Sequence, residues 1–337
     1  MQKDHHPSDG GMSRRAALAG AAAGALALTS DPAAAQRCAG PPPPHQKGPL
    51  VWLDLDQKEL DDAYDQSVYA FNQGNIAERR RANSELALKA LGPPQRVAYG
   101  PTAIEKLDIY RSKRANAPVA IYIHGGSWRN GIASQNAYLA EPFVNAGAHY
   151  VMPDFINVLD AGGDLFPMVE QVRRAVAWVY RNAASFGGDP NALYLAGHSS
   201  GGHLGGCIVT TDWAAQGLPL DILKGALLGS GMYDLKAVRL SKRGEYVKFT
   251  DAMEQELSAQ RHLDRLHTPL ILTHGTLETP EFQRQTRDFY AAVMAAGKPV
   301  ELRVGEGYNH FETQETLANP YGLMGRAAFQ QMKLASS

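Results

Sequence analysis

The stretch Leu193-Tyr-Leu-Ala-Gly-His-Ser-Ser-Gly-Gly-His-Leu204 leaves a chain few folds to choose from. Residues 193–196 read as a buried strand, Gly197-His198-Ser199-Ser200-Gly201 fits G-x-S-x-G, and the residues after it open a helix. Small residues on either side let strand and helix pass close together. The central residue is then held in a strained backbone conformation that exposes its hydroxyl. Everything else in the chain can be placed relative to Ser199.

The order of elements on both sides fits that picture. Residues 96–99 and 106–111 are short alternating strands, the form of antiparallel edge pairs. Residues 118–123 form a continuous apolar run, as expected of a strand covered on both faces. Then come 148–155 (strand), 166–186 (a long helix with Val169, Val172, Val176 and Val179 on one side) and the strand before Ser199. The series closes with 201–211 (helix), 225–229 (strand), 270–273 (strand), 280–296 (helix), 300–304 (strand) and 321–333 (helix). Strand and helix alternating without repeats predict an α/β fold over 51–337, with a mostly parallel, doubly wound sheet. Two stretches break the rhythm. Residues 51–92 carry a helical pattern and are expected to form an N-terminal cap or lid; residues 233–268 are expected to form a second part of it.

Before the fold lies a leader. Ser13-Arg14-Arg15 precedes an Ala/Gly/Leu run from Ala16 to Leu28, and Ala33-Ala34-Ala35 supplies the small residues of a cleavage site. The run is short and poor in bulky residues, so 1–35 reads as a twin-arginine-type export signal, with Met1 or Met12 as the start. The expected destination is the periplasm or the exterior, with no lasting membrane attachment once the signal is removed. Residues 36–50, with Pro41-Pro42-Pro43-Pro44, form a stiff extended linker.

Composition narrows the partners. Lys+Arg 33 against Asp+Glu 34 leaves a net charge of -1, which offers no electrostatic footprint for nucleic acid. The short run Arg79-Arg80-Arg81 is expected to be a solvated helix face. Two cysteines, Cys38 and Cys207, cannot build a disulfide framework or a zinc site, and Cys207 is expected to serve as a small buried hydrophobe. The expected chemistry needs neither a metal nor an organic cofactor.

Open parallel sheets bind ligands at the carboxyl ends of their strands, and three groups of residues fall there. The first is Ser199. The second is the glycine turn His124-Gly125-Gly126-Ser127-Trp128, whose N–H groups can join that of Ser200 in receiving a negatively charged oxygen. His124 is expected to brace this turn by bonding to backbone. The third is Glu278 with His310. A serine hydroxyl needs a base with a pKa near neutrality, and an imidazole needs a carboxylate to fix its tautomer. The order Ser199, Glu278, His310 suits those roles, with Asp234 the competing acid. Trp128 and His198 are expected beside the substrate, His198 and His203 also as packing or supporting groups of the nucleophile.

With these motifs the chain resembles an α/β-hydrolase, and within that superfamily the arylformamidase (kynurenine formamidase) and hormone-sensitive-lipase-like esterase group. The resemblance runs from about residue 53 to the C-terminus. It is carried by Leu60-Asp-Asp-Ala-Tyr64, His124-Gly-Gly-Ser-Trp128, Phe186-Gly-Gly-Asp-Pro190, Gly201-Gly202-His203, Thr279-Pro-Glu-Phe282 with Arg284-Gln285, and Asn309-His310-Phe311. It implies serine hydrolysis of a small-molecule ester or amide. One departure is the acid before the Ser/Thr-Pro-Glu-Phe stretch, commonly Asp in the family and here Glu278. An export signal favours small or aromatic carboxylic esters as substrates, ahead of aryl formamides such as N-formylkynurenine. A non-catalytic ligand-binding relative is the third reading. The N-terminal helices could serve a homodimer as easily as a lid.

Overall fold

The computed structural model describes residues 44–335; the expected export signal and most of the Pro-rich linker, including Cys38, lie outside the described residues. Strands β1 (Leu50–Trp52) and β2 (Leu55–Asp56) pair only with each other. Helices α1 (Gln57–Ala63), α2 (Gln66–Tyr69) and α3 (Gln73–Leu91) follow. The main sheet then begins with β3 (Gln95–Ala98), β4 (Lys106–Tyr110) and β5 (Ala117–Ile123). Beyond β5 come α4 (Ala140–Asn145), β6 (His149–Pro153), α5 (Phe166–Asn182), β7 (Gly188–His198), α6 (Ser200–Val209) and β8 (Leu223–Gly229). Helices α7 (Leu235–Leu240) and α8 (Asp251–Glu256) separate β8 from β9 (Leu270–Gly275). The chain closes with α9 (Pro280–Ala295), β10 (Val300–Gly305), α10 (His310–Glu315) and α11 (Leu323–Met332).

The eight strands of the sheet lie in the order β10-β9-β8-β7-β5-β6-β4-β3. Only β3 with β4 and β4 with β6 run antiparallel; the other pairs are parallel. All seven residues of β5 are buried. Val119, Ile121 and Ile123 join one hydrophobic cluster while Ala120 and Tyr122 join another, the period of two required of a strand covered on both faces. Helix α5 completes the first cluster with Val169, Val172, Val176 and Val179, all fully buried. At about 1.5–3 kcal/mol per buried side chain, this stripe accounts for the helix docking on the sheet. Phe143 of α4 and Met324 and Phe329 of α11 complete the second cluster.

The structure departs from the sequence reading in four places. Residues 50–56 are an extended pair, so the linker ends and the cap begins with strands; Asp56 then starts α1 through a capping box with Glu59. Helix α5 stops at Asn182, and 183–186 continue as a tighter turn closed by Gly187 at φ 90°. The helical segments of 133–145 lie between β5 and β6 where no helix was expected. Finally, Arg79 donates to Glu315 (3.0 Å) and Arg80 donates to the carbonyl of Phe311. The basic run therefore ties α3 to α10; Arg79 and Arg81 stay exposed as expected, Arg81 with Glu78 and Glu85, and Arg80 is half-buried.

The two interrupting stretches meet. Gln57 Nε2 donates to the carbonyl of Leu240 (2.9 Å), the Lys242 amide to Asp61 Oδ1 (2.6 Å) and Arg243 Nη2 to the carbonyl of Tyr64 (3.0 Å). Lys242 Nζ also pairs with Asp65. Residues 57–65 and 240–243 thus form one connected cover.

Candidate active site

Register brings the site together. Ile123 is paired with Gly197, His198 with Gly229, Gly229 with Thr273, and Gly275 with Gly305. The segments leaving β5, β7, β8, β9 and β10 therefore start along one edge of the sheet, and the candidate residues lie in those segments.

Ser199 follows β7 with φ 61° and ψ −127°, a conformation that a non-glycine residue adopts only under constraint. Its N–H donates to the carbonyl of Gly229 and its own carbonyl accepts from the His203 amide, both at 3.0 Å. Helix α6 passes so close that a Cβ on Gly201 would sit 2.1 Å from the carbonyl oxygen of Ile123. That approach requires glycine.

His310 Nδ1 donates to Glu278 Oε2 at 2.7 Å. Glu278 Oε1 accepts from Ser230 Oγ (2.6 Å) and the Gly275 amide (2.7 Å), with Thr313 Oγ1 3.3 Å away sharing its one proton with the Asn309 carbonyl (2.9 Å). Burial acts to raise the Glu278 pKa, but the His310 ring and these donors outweigh it and hold the carboxyl below its ordinary value. An ionised carboxylate only accepts, so the Nδ1 proton of His310 lies in this bond and Nε2 is left as an acceptor. His310 does not lie in a loop as expected: it is the first residue of α10, which Asn309 caps in a capping box with Glu312. Asp234 is committed elsewhere. It caps α7 through the Lys236 amide (2.9 Å) and pairs with Arg261 (2.9 Å).

The glycine turn lies against the elbow. A Cβ on Gly125 would be 2.8 Å from the His198 carbonyl and 3.1 Å from Ser199 Cβ. Gly126, Ser127 and Trp128 follow with φ of 122°, 55° and 62°. His124 Nδ1 donates to the Gly125 carbonyl at 2.9 Å while its ring stacks on Phe155 at 4.3 Å. Trp128 corrects the sequence reading. It packs in the hydrophobic core and does not line the cavity that holds Ser199 and His310. Its amide donates to Ser200 Oγ (3.2 Å) and its indole Nε1 to His203 Nδ1 (3.1 Å), which fastens the turn to α6.

Above these residues is a cavity of about 430 Å³. Ser199, His198, His310, Gly126 and Ser127 line it from the sheet side, and Tyr64, Gln66, Arg243 and Tyr246 from the cover. His198 is 1% exposed, its ring lies 4.5 Å from that of His310, and its Nε2 has no partner. Burial, then the neighbouring His310, keep its pKa well below the ordinary histidine value. One ligand-type atom each of His198, Glu278 and His310 falls within 4.8 Å of the others. Both Glu278 oxygens are already engaged as acceptors, so the hydrogen-bonded pair explains the cluster. Cys207 is buried, its thiol pushed up to about 12 by burial, as expected of a packing residue. Sequence reasoning missed Ser230 and Thr313 beside Glu278, and Arg243 in the cover. Ser230 follows the apolar run 225–229 directly, which is the signal that could have found it.

A mostly parallel sheet with a strained serine after a central strand, and a carboxylate–histidine pair after later strands, defines an α/β-hydrolase. The BD-FAE family model matches residues 107–221. Kynurenine formamidase of Danio rerio is 34% identical over 66% of this chain and 76% of its own length. That of Salmo salar is 30% identical over 80% of this chain and 94% of its own. Among solved structures, the Pyrobaculum calidifontis esterase matches with a TM-score of 0.62 at 18% identity, over 81% of this chain and 97% of that one. The chain belongs to the arylformamidase-like and esterase-like family of α/β-hydrolases, and is a hydrolase acting on esters or amides.

Proposed function

We propose that the protein cleaves an acyl bond through a covalent intermediate on Ser199. Ser199 Oγ attacks the carbonyl carbon while His310 Nε2 takes its proton, and Glu278 holds the imidazolium through Nδ1–H. The N–H groups of Gly126, Ser127 and Ser200 receive the oxyanion, with glycine at 125 letting the turn approach. The tetrahedral intermediate collapses, the leaving group departs with the proton from His310, and an acyl-serine ester remains. Water, giving a proton to His310, attacks that ester; the acid leaves and the hydroxyl is restored. The observation that carries this reading is the 2.7 Å bond from His310 to Glu278 beside a strained serine in one cavity.

For the bond cleaved, we place aryl formamides first, because two relatives at 30% identity or above are kynurenine formamidases. Carboxylic esters come second, on the strength of relatives such as the Arabidopsis thaliana isoprenylcysteine alpha-carbonyl methylesterase, 25% identical. Formanilide and phenyl acetate, each a plain neutral compound, separate the two. Wild-type protein is expected to take up a fluorophosphonate label and to turn over one or both. Ser199→Ala is expected to abolish labelling and lower kcat about 10⁴-fold or more. A Ser199→Ala variant as active as wild type rejects Ser199 as the nucleophile, and a wild type that neither labels nor turns over substrate favours a non-catalytic ligand binder.

A further inference from the structure

Arg243 is a guanidinium enclosed in protein with no carboxylate paired to it among the described residues. The residue is 4% exposed. Nη1 donates to Tyr246 Oη (3.2 Å), Nη2 donates to the carbonyl of Tyr64 (3.0 Å), and Nε has no partner. Its charged carbon lies 5.5 Å from the Trp128 ring, 5.9 Å from Phe282 and 6.0 Å from Tyr64. The neighbouring carboxylates are taken. Asp65 holds Lys242 and Ser67, and Glu281 is gripped by both arms of Arg284 at 2.7 Å and by Tyr64 Oη at 2.9 Å. Glu245 lies exposed, and among the described residues no carboxylate forms a salt bridge with Arg243.

Removing a charge from water is costly, and neutral acceptors and aromatic faces return only part of that cost. A site that keeps such a cation is preorganised for an anion arriving from outside. Arg243 lines the same cavity as Ser199 and His310. Arg129 lines it too, its guanidinium 4.2 Å over the Tyr246 ring and likewise without a carboxylate partner among the described residues. The planar fork of arginine matches a carboxylate in two-pronged geometry, which a lysine cannot supply.

We infer that Arg243 binds a carboxylate carried by the substrate outside the scissile bond, so that the substrates are anionic esters or aryl amides. This rests on the proposed acyl hydrolysis at Ser199. Matched pairs test it: formanilide against 2-formamidobenzoate, which carries the carboxylate on the leaving group, and 4-nitrophenyl pentanoate against mono-4-nitrophenyl glutarate, which carries it on the acyl chain. Wild type is expected to favour the charged member of at least one pair about tenfold or more in kcat/KM. Arg243→Gln is expected to lower kcat/KM for that member about 100-fold, chiefly through KM, and to bring the ratio near one. Where the glutamine variant does not fold, Arg243→Lys carries the test: it keeps the charge, loses the fork and lowers the ratio about fivefold or more. Arg239→Gln, on the same segment but paired with Asp251 and Glu254, is expected to keep the wild-type ratio.

A wild-type ratio near one in both pairs overturns the inference, as does an equal loss on charged and neutral members in the Arg243 variants. Either result, obtained with a protein that still labels with fluorophosphonate, leaves the acyl hydrolysis standing. A wild type that neither labels nor hydrolyses overturns both.

Discussion

Glu278 is held by more donors than an acid needs merely to orient a ring. Of its two oxygens, one is saturated by Ser230 and the Gly275 amide, and only the other faces His310. The carboxylate therefore cannot rotate to offer His310 anything else. Glu278→Gln replaces an oxygen by an N–H on one side of this set, so that either Nδ1–H or the fixed donors lose an acceptor. Turnover is expected to fall about 10²- to 10⁴-fold with little change in fold. Asp234→Asn retains an oxygen for the Lys236 amide and is expected to leave kcat within about twofold. Reversed outcomes in the steady-state rates would make Asp234 the acid. Ser199 and His310 were legible in the sequence because the motif around one and the strand-end position of the other are local features. The acid reads as Glu278 with Asp234 left in competition, since both follow apolar strands; in the fold Glu278 bonds to His310 while Asp234 is spent on a helix cap and Arg261. Trp128 failed as a cavity residue for a similar reason. Nothing in a glycine turn tells which way its tryptophan points.

Elements set the site's precision through the contact of α6 with β5 and β7. The Gly201 approach is to backbone oxygens, those of Ile123 at 2.1 Å and His124 at 2.7 Å from a built Cβ. Backbone at the end of a fully buried strand does not yield as a flexible side chain would. Gly201→Ala is expected to cost about 3 kcal/mol or more in chemical denaturation, and to lower kcat/KM over about 100-fold by moving Ser199 against the glycine turn. Gly74→Ala, in α3 where a Cβ meets nothing within 4 Å, is expected to leave activity alone and raise stability by up to about 1 kcal/mol. Equal losses in the two variants would remove the close approach as the cause. The same scale shows what made the sheet legible. Strands β5, β6 and β9 are buried throughout; β5 appears as an uninterrupted apolar run, and β6 and β9 each carry an apolar stretch beside a buried histidine. The elements missed are short or irregular. β1 and β2 have three and two residues, and α10 has six, yet Asn309 and Glu312 at capping-box spacing mark its start in the sequence. Arg243 was not legible, because it belongs to no motif and its environment comes from two distant stretches.

Across the whole molecule, burial has made several histidines reluctant to take a proton. His124, His149, His198, His203 and His274 all have pKa values lowered from the ordinary value, with burial the leading cause in each. The unfolded chain binds a proton at each near pH 6.5, while the folded chain does not until the pH falls further. Between those two values the unfolded state holds more protons, so stability is fully present above about pH 6.5 and is lost as the pH falls. His203 gives this a specific structural cause. Its Nδ1 accepts from the Trp128 indole and its Nε2 donates to the Leu257 carbonyl at 3.0 Å, an arrangement that only the neutral ring can hold. Its pKa is lowered to about 4. Protonation would break the bond that fastens the glycine turn to α6. Over that window one such group contributes roughly 3 kcal/mol, or about 1.4 kcal/mol per pH unit. The stability that Glu278 supplies, its pKa also being lowered, is fully present above about pH 4.5 and is lost only below it, so the histidines govern the interval from 6.5 to 4.5. Urea denaturation at several pH values in that interval is expected to show wild-type stability falling steeply. His203→Phe starts from a lower stability, because Trp128 Nε1 and the Leu257 carbonyl lose their partner, but its slope is expected to be shallower by about 1.4 kcal/mol per pH unit. The slope is the deciding quantity. A variant curve that runs parallel to wild type would mean that the His203 ring is not the group resisting protonation, and that the turn beside Ser199 is held by its other contacts.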